Sequence, residues 1–176
     1  MLSCMRKTAV VFLLMSQLLA ACGEQTSTSS TDPNGAARGV VIGKAAPAIT
    51  GTSLDGKRTI SLEDVQARHI VVTFWAGWCL PCEEETKVLK QYYSETKRSE
   101  FEVIGIAYDE AVSDSLRFAK KHDIPWPLLQ DVDKVLAKAY GVRGIPVAVF
   151  LDEKHVVQTQ VFGLTSLDRL KQALRA

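Results

Sequence analysis

Two cysteines separated by two residues directly follow a strongly β-forming run and open a predicted helix. The run Ile70–Trp75 is β-branched and aromatic, which is typical of a buried central strand. A helix is predicted from about Pro81 to Lys97, with the proline in the first turn, where a missing N–H costs nothing. Functional groups collect at the carboxyl ends of sheet strands. The position of Cys79 and Cys82 at this corner therefore predicts an α/β fold with thiol chemistry at the end of its central strand.

The two thiols have different predicted roles. Cys79 would lie at the helix N-terminus, where unpaired backbone N–H groups and the positive end of the helix dipole favour its thiolate. It is therefore the expected nucleophile. Cys82 would lie one turn deeper on the same face and could resolve a mixed disulfide formed by Cys79. The carboxylates of residues 83–85 act in the opposite direction, because they disfavour ionisation of Cys79.

Glu85 allows two interpretations. It follows Cys82 by three residues, so helical spacing could turn it toward the sulfurs. A partly buried carboxylate there would have a raised pKa and could carry the proton of Cys82. Alternatively, Glu85 is a solvated charge at the positive end of the helix, like Glu83 and Glu84, and has no catalytic role.

Three other uses of the cysteine pair fit the sequence less well. A structural zinc site needs about four ligands, and the sequence has neither a second C-x-x-C nor a nearby histidine pair. A purely structural disulfide would close so small a loop that it would constrain the unfolded chain little. Peroxiredoxin-type thiol peroxidases place a threonine three residues before the reactive cysteine, where this chain has Ala76. We therefore expect thiol–disulfide exchange with no metal and no cofactor.

Strands and helices alternate along the rest of the chain. Asp55-Gly56, between short strands at 47–50 and 58–60, is a strong hairpin signal. Leu116, Phe118 and Ala119 are expected on or near the inner face of their helix. The further expected elements are a short helix at 62–67, a strand at 101–108, helices at 113–122 and 133–140, strands at 147–151 and 156–162, and a helix at 166–174. This order predicts an α/β sandwich, a central mixed β-sheet flanked by helices, with an N-terminal β-hairpin.

The segment Gly144-Ile145-Pro146 supplies the second part of the predicted site. It directly precedes the strand at 147–151. A cis peptide bond before Pro146 would expose the Ile145 backbone opposite the cysteines, where an extended substrate segment could pair with it. A trans proline that only opens the strand is the alternative.

The N-terminal residues predict a secretory signal peptide. Arg6 and Lys7 precede an apolar run at 9–19 that is too short and too polar for a comfortable membrane span, but typical of a secretory signal. The sequence LAAC, ending at Cys22, resembles the bacterial lipobox. It predicts a signal peptide over 1–21, a flexible tether over 22–39 that begins at lipidated Cys22, and a folded domain over 40–176. A plain signal peptide cleaved after Ala21 is the alternative.

The overall charge excludes one class of partner. A net charge of +1, with no block of lysine or arginine, gives no electrostatic case for binding nucleic acid. A hydrophobic content of 47% is enough for an ordinary buried core. Partners therefore have to be argued from the predicted site.

Together these motifs resemble the TlpA/ResA-like branch of the thioredoxin superfamily, over about residues 43–174. The resemblance lies in three segments: the hairpin (GKAAP at 43–47, DGK at 55–57), the active-site strand and corner (TFWAGWCLPC at 73–82) and the proline loop (YGVRGIP at 140–146). It implies a thioredoxin-like fold, and it places Glu85 at the branch's characteristic glutamate. It also implies a cis Pro146 and substrate contacts from Trp78, Ile145 and Pro146.

The chain departs from the family pattern at three places, one of which is the lack of the proline that commonly follows the family glutamate, where this chain has Thr86-Lys87. Thioredoxin has a buried aspartate where Thr73 stands, so a hydroxyl replaces that proton carrier and Glu85 gains importance. The branch specialised for cytochrome c maturation usually has an acidic residue directly after the cis-proline. This chain has Val147 there, which weakens the case for a haem-protein client.

The expected activity is reduction of disulfides in periplasmic client proteins. Strong oxidants stabilise their reduced thiolate, often with a histidine inside C-x-x-C, and Leu80-Pro81 offers no such charge. The lipobox predicts that the protein is lipid-anchored in the bacterial cell envelope and faces the periplasm. In that oxidising compartment it has to be reduced again, and the family resemblance implies that a membrane-embedded dithiol donor does so. The alternative from another class is a non-catalytic scaffold lipoprotein with the same fold, in which Cys79 would be buried and unreactive.

Overall fold

The computed structural model describes residues 39–175. These residues form a five-stranded sheet, a separate two-stranded hairpin and helices on both sheet faces. The elements are β1 (Thr50–Thr52), β2 (Thr59–Ser61), β3 (His69–Trp75), α1 (Leu80–Glu95), β4 (Phe101–Ala107), α2 (Val112–His122), β5 (Leu128–Gln130), α3 (Val135–Ala139), β6 (Val147–Asp152), β7 (Val157–Phe162) and α4 (Leu167–Ala173). The predicted thioredoxin-like sandwich with an N-terminal hairpin is therefore confirmed.

The strand order places β3 at the centre of a mixed sheet. The order is β5-β4-β3-β6-β7. Strands β3, β4 and β5 are parallel, whereas β6 is antiparallel to both β3 and β7. Phe74, near the end of β3, pairs with Val147, the first residue of β6. The carboxyl end of β3 therefore lies beside the segment that contains Pro146.

Both faces of β3 are buried, as its uninterrupted apolar run predicts. On one face, Val72 and Phe74 belong to a cluster with Ile60 of the hairpin and Tyr140 at the end of α3. On the other face, Val71 packs in a cluster with residues of α1 and α4. Full burial of side chains of this size contributes roughly 1.5–3 kcal/mol each. This burial holds β3, and thus the corner that follows it, in a fixed position.

The N-terminal segment covers both edges of the sheet. Ser53, which follows β1, forms an antiparallel bridge with Leu129 of β5. At the opposite edge, the Gly43 N–H donates to the Val157 carbonyl of β7 at 2.8 Å. Uncovered edges attract other strands, so these contacts limit unwanted pairing.

Several predicted boundaries are wrong for local reasons. Strand β5 was not predicted, because three residues after Pro127 are too few to show a period of two. The helix predicted over 62–67 is only the 3-10 turn Leu62–Asp64, since Val65 is extended. Helix α3 begins at Val135, because Lys134 adopts a left-handed conformation with φ of 57°.

The inner face of α2 also differs from the prediction. Leu116 is 41% exposed, and the buried residues of the helix are Ser115 and Phe118. The physical reason is a hydrogen bond from the Ser115 hydroxyl to the buried Asp109 carboxylate at 2.7 Å. A polar residue therefore takes the inward position that the apolar pattern assigns to Leu116.

No helix within residues 39–175 is long and apolar enough to cross a membrane. The predicted signal peptide, Cys22 and nearly all of the tether lie outside the described residues.

Gly105 of β4 lies beside two buried indole rings. A Cβ atom at this position would lie 2.5 Å from Leu128 Cδ2, 2.9 Å from Trp75 Nε1 and 3.2 Å from Trp126 Nε1. Trp75 is stacked on Phe118, with 4.7 Å between ring centroids. The ring of Trp75 therefore has little freedom to move aside.

We predict that Gly105→Ala lowers the free energy of unfolding by about 1–3 kcal/mol, because an added methyl group overpacks this core. Denaturant unfolding followed by tryptophan fluorescence measures the change. Gly144→Ala is the matched control, since its Cβ would meet nothing within 4 Å. It should change stability by less than about 0.5 kcal/mol. Equal stabilities of the two variants would contradict the close packing at Gly105.

Candidate active site

The two cysteines of the C-x-x-C motif lie at the junction of β3 and α1, as predicted. Cys79 is the N-cap residue of α1, and Pro81 lies at the start of the helix. The sulfurs of Cys79 and Cys82 are joined in a disulfide with an S–S distance of 2.00 Å. The Cys82 N–H donates to the Cys79 carbonyl at 3.1 Å. No side chain caps the helix at Cys79, so backbone N–H groups of the first turn remain available to a thiolate there.

The disulfide is buried, whereas the residues on either side of Cys79 in the chain are exposed. Cys79 is 4% exposed and Cys82 is 1% exposed. Trp78 and Leu80 are 68% and 76% exposed. Two large apolar side chains that a partner could contact therefore flank Cys79 in the chain.

The proline loop meets the cysteines, as the sequence predicts. The Ile145–Pro146 peptide bond is cis. Ile145 is half-buried and packs against the apolar cluster that contains Cys79 and Cys82. The Pro146 carbonyl accepts a hydrogen bond from the Gly163 N–H at 2.9 Å, which ties the loop to the end of β7.

Glu85 points into the interior and not into solvent. It is only 2% exposed. Its Oε2 accepts a hydrogen bond from the Thr73 hydroxyl of β3 at 2.7 Å. Its Oε1 accepts one from the Thr165 N–H at 3.2 Å. Since Cys82 lies three residues earlier on the same helix, the buried carboxylate and the buried sulfur share one face of α1.

A second buried carboxylate, Asp109, was missed by the sequence analysis. It follows β4, is 2% exposed, and accepts two hydrogen bonds from the Gly77 N–H at 2.9 and 3.1 Å. It also accepts the Ser115 hydroxyl bond of α2. Asp109-Glu110 in the sequence is typical of a solvated loop. Its position just after a strand next to the central one was the only available signal.

Comparison with known proteins identifies the family. The chain matches the AhpC/TSA family model over residues 42–160. It is 31% identical over 134 residues to the thiol-disulfide oxidoreductase ResA of Bacillus thuringiensis subsp. konkukian, which covers 76% of this chain and 77% of that protein. The chain belongs to the AhpC/TSA family, as a ResA-like thiol-disulfide oxidoreductase. The thioredoxin-like protein YneN of Bacillus subtilis is 28% identical over 139 residues, 77% of this chain and 80% of that protein.

Solved structures support the same assignment. A secreted disulfide oxidoreductase of Mycobacterium tuberculosis, homologous to E. coli DsbE, superposes with a TM-score of 0.63 at 26% identity, over 72% of this chain and 94% of that chain. The thioredoxin domain of a thiol-disulfide oxidoreductase from Bacteroides vulgatus shares the fold, with a TM-score of 0.67 at 24% identity over 77% and 99% of the two chains. For this ResA-like oxidoreductase a thiol peroxidase activity is not favoured.

Burial determines the acidity of Glu85 in this ResA-like protein. Removal from water raises the pKa of the Glu85 carboxyl, and hydrogen bonds from Thr73 and Thr165 lower that pKa in part. The Thr165 hydroxyl is buried and forms no well-aligned hydrogen bond within residues 39–175. It nevertheless contributes to lowering the pKa of Glu85. A carboxyl with a raised pKa can hold a proton at a pH where an exposed glutamate cannot.

The other two glutamates at the start of α1 are paired with lysines. Lys121 of α2 donates to Glu83 at 2.6 Å, and this bond lowers the pKa of Glu83. Lys87 donates to Glu84 at 2.7 Å. Because each carboxylate has a cationic neighbour, both oppose a thiolate at Cys79 less than two unpaired charges would. Within residues 39–175, no group of three or more metal-ligating side chains is present.

We predict that the raised pKa of Glu85 makes stability depend on pH. The folded protein holds this proton more tightly than the unfolded chain, whose glutamate pKa is near 4.3. This contribution to the free energy of unfolding is therefore complete below about pH 4 and is lost as the pH rises through the folded pKa. Denaturant unfolding of the oxidised protein between about pH 4 and pH 8 should show this loss of stability in the parent. Glu85→Gln should not show it, because its amide does not titrate.

Substitution of Thr73 provides a sharper form of this test. Thr73→Val removes the hydroxyl that stabilises the ionised carboxylate, so the pKa of Glu85 should rise further and the loss of stability with rising pH should be larger. Thr86→Val is the control, since Thr86 is a buried threonine of α1 without a hydrogen bond to Glu85 among the described residues. If both valine variants follow the parent pH dependence, the Thr73 bond does not hold a carboxylate.

Proposed function

We propose that this chain reduces disulfides in extracytoplasmic client proteins through its Cys79–Cys82 pair. The observation that carries the proposal is the disulfide at the N-terminus of α1, packed against the proline loop in a ResA-like thiol-disulfide oxidoreductase. Two sulfurs held this way can accept and donate two electrons without another cofactor.

The exchange takes two steps. In the reduced protein the Cys79 thiolate attacks a client disulfide, so that a Cys79–client disulfide forms, the client disulfide breaks and one client sulfur leaves as a thiolate. Cys82 then transfers its proton to the Glu85 carboxylate and attacks the Cys79 sulfur. The Cys79–Cys82 disulfide forms, and the second client thiolate leaves. Two electrons have passed to the client, and the proton on Glu85 is returned to solvent.

The surface around the disulfide supports a protein client. Trp78, Leu80 and Phe162 are exposed apolar residues, and Ile145 is half-buried and packs against the apolar cluster that contains the cysteines. Phe162 belongs to the same end of the sheet, because it pairs with Val147 directly after Pro146. We call these four residues the apolar rim. Exposed apolar groups that cluster around a reactive group are expected to contact a partner.

Two considerations support the reducing direction and the location. Leu80-Pro81 places no positive charge between the cysteines, so nothing in the motif stabilises the reduced thiolate as strong oxidants do. The lipobox ending at Cys22 supports a lipid anchor in the bacterial cell envelope. A reductase there needs a supply of electrons, and we infer a membrane-embedded dithiol donor from the family resemblance.

The low exposure of Cys79 favours one alternative, a scaffold lipoprotein with an inert disulfide. We predict instead that Cys82→Ser accumulates mixed disulfides through Cys79, because the resolving thiol is missing. Non-reducing electrophoresis of cells that express the variant, followed by mass spectrometry, detects and identifies the clients. The Cys79→Ser/Cys82→Ser double variant is the control. Absence of any adduct that depends on Cys79 would support the scaffold.

We further predict that Glu85→Gln slows the resolving step by about 100-fold or more, since Cys82 loses its proton acceptor. The rate of attack by Cys79 on the client should change little. Rapid-quench measurement of the mixed disulfide with a model disulfide peptide separates the two steps. An unchanged lifetime of the mixed disulfide would remove Glu85 from the mechanism.

A further inference from the structure

Asp109 is a buried carboxylate that the exchange steps do not use. We propose that Asp109 is a positioning residue that holds the turn before Cys79 and whose negative charge disfavours the Cys79 thiolate, so that the protein is a stronger reductant. This inference rests on the proposed function, because it concerns the redox balance of the same two sulfurs.

The hydrogen bonds place Asp109 against the active-site turn. Its carboxylate binds the N–H of Gly77, two residues before Cys79, with both oxygens. The Cys79 N–H in turn donates to the Ala76 carbonyl at 3.1 Å, so Gly77 lies inside the turn that Cys79 closes. Gly77 is also close to α2, since a Cβ there would lie 3.0 Å from the Asp114 carbonyl oxygen. The turn is therefore held between Asp109 and α2.

The partners of Asp109 do not cancel its charge. Every hydrogen bond that its carboxylate accepts within residues 39–175 comes from a neutral donor, the Gly77 N–H or the Ser115 hydroxyl. The ammonium of Lys134 donates to the carbonyl of Tyr108, the residue before Asp109, and not to the Asp109 carboxylate. Neutral donors stabilise an ionised carboxylate without removing its net charge.

The effect on Cys79 has a definite sign. Two residues of backbone span at most about 7 Å, so the carboxylate oxygens that bind the Gly77 N–H lie within about 10 Å of the Cys79 backbone. At an effective dielectric constant of about 20, a negative charge at that distance raises a thiol pKa by about one unit. The disulfide carries no charge and is unaffected. A carboxylate at this position therefore destabilises only the reduced form, which lowers the reduction potential.

Asp109→Asn tests the charge while it keeps the shape and an acceptor for Gly77. We expect the Cys79 thiol pKa, measured by thiolate absorbance or by the pH dependence of alkylation, to fall by about one unit. At a pH above the Cys79 pKa of both the parent and the variant, the equilibrium with glutathione should shift about tenfold toward the reduced protein. This shift corresponds to about 30 mV. A merely structural role would change the free energy of unfolding but neither of these quantities.

The chain offers a matched control in Asp131. This carboxylate is also buried, 5% exposed, and accepts hydrogen bonds from the Leu136 and Ala137 N–H groups at 3.1 and 2.8 Å. It holds the start of α3 and not the active-site turn. Asp131→Asn should therefore lose stability while the thiol pKa and the glutathione equilibrium stay at the parent values.

The possible outcomes separate this inference from the proposed function. A folded Asp109→Asn protein with the parent thiol pKa and glutathione equilibrium would overturn the inference alone. Thiols that stay unreactive in the reduced parent would overturn the proposed function. If Asp109→Asn does not fold, Asp109→Ser decides instead. It removes the same charge and keeps a hydroxyl oxygen that can accept from Gly77, so the thiol pKa should again fall, and an unchanged value would overturn the inference.

Discussion

The pairing of β3 with strands on both of its sides is the constraint on which the site depends. Parallel bonds to β4 and antiparallel bonds to β6 run along nearly the whole strand. Because β6 is antiparallel, its first residue lies beside the last residues of β3, and the proline loop is brought to the cysteines. Because β4 is parallel, Asp109, two residues beyond its end, reaches the turn after β3. A sheet with another strand order would separate these three groups.

Two buried carboxylates lie close to this corner, and their surroundings differ. Glu85 shares the face of α1 with Cys82, and burial raises its pKa, so it is suited to take up a proton. Asp109 binds the turn before Cys79, and two of the three hydrogen bonds it accepts come from the Gly77 backbone N–H, which cannot rotate away. In the proposed exchange the first carboxylate acts on the resolving sulfur, and in the further inference the second acts on the nucleophile. Neither substitutes for the other.

The parts of this site that the sequence predicted are those with a local signal. The strand before Cys79 is marked by its β-branched and aromatic run, and the helix after it is marked by Pro81 in its first turn. The three-residue spacing of Glu85 from Cys82 is helical. The interior position of Glu85 could not be decided, since it depends on Thr73 and Thr165, which are remote in the chain. Asp109 was missed for the same reason. The prediction that Leu116 faces inward is wrong because apolar periodicity cannot predict a buried serine that binds a carboxylate, as Ser115 does.

The small exposed area of Cys79 is compatible with the proposed exchange if a client also contacts the apolar rim. A small thiol in solution gains little from Trp78, Leu80 and Phe162. A protein segment that buries these side chains gains roughly 25 cal/mol for each Å² of apolar surface removed from water. That gain can offset the cost of exposing the disulfide. The proposed function therefore favours clients with an apolar segment beside their own disulfide.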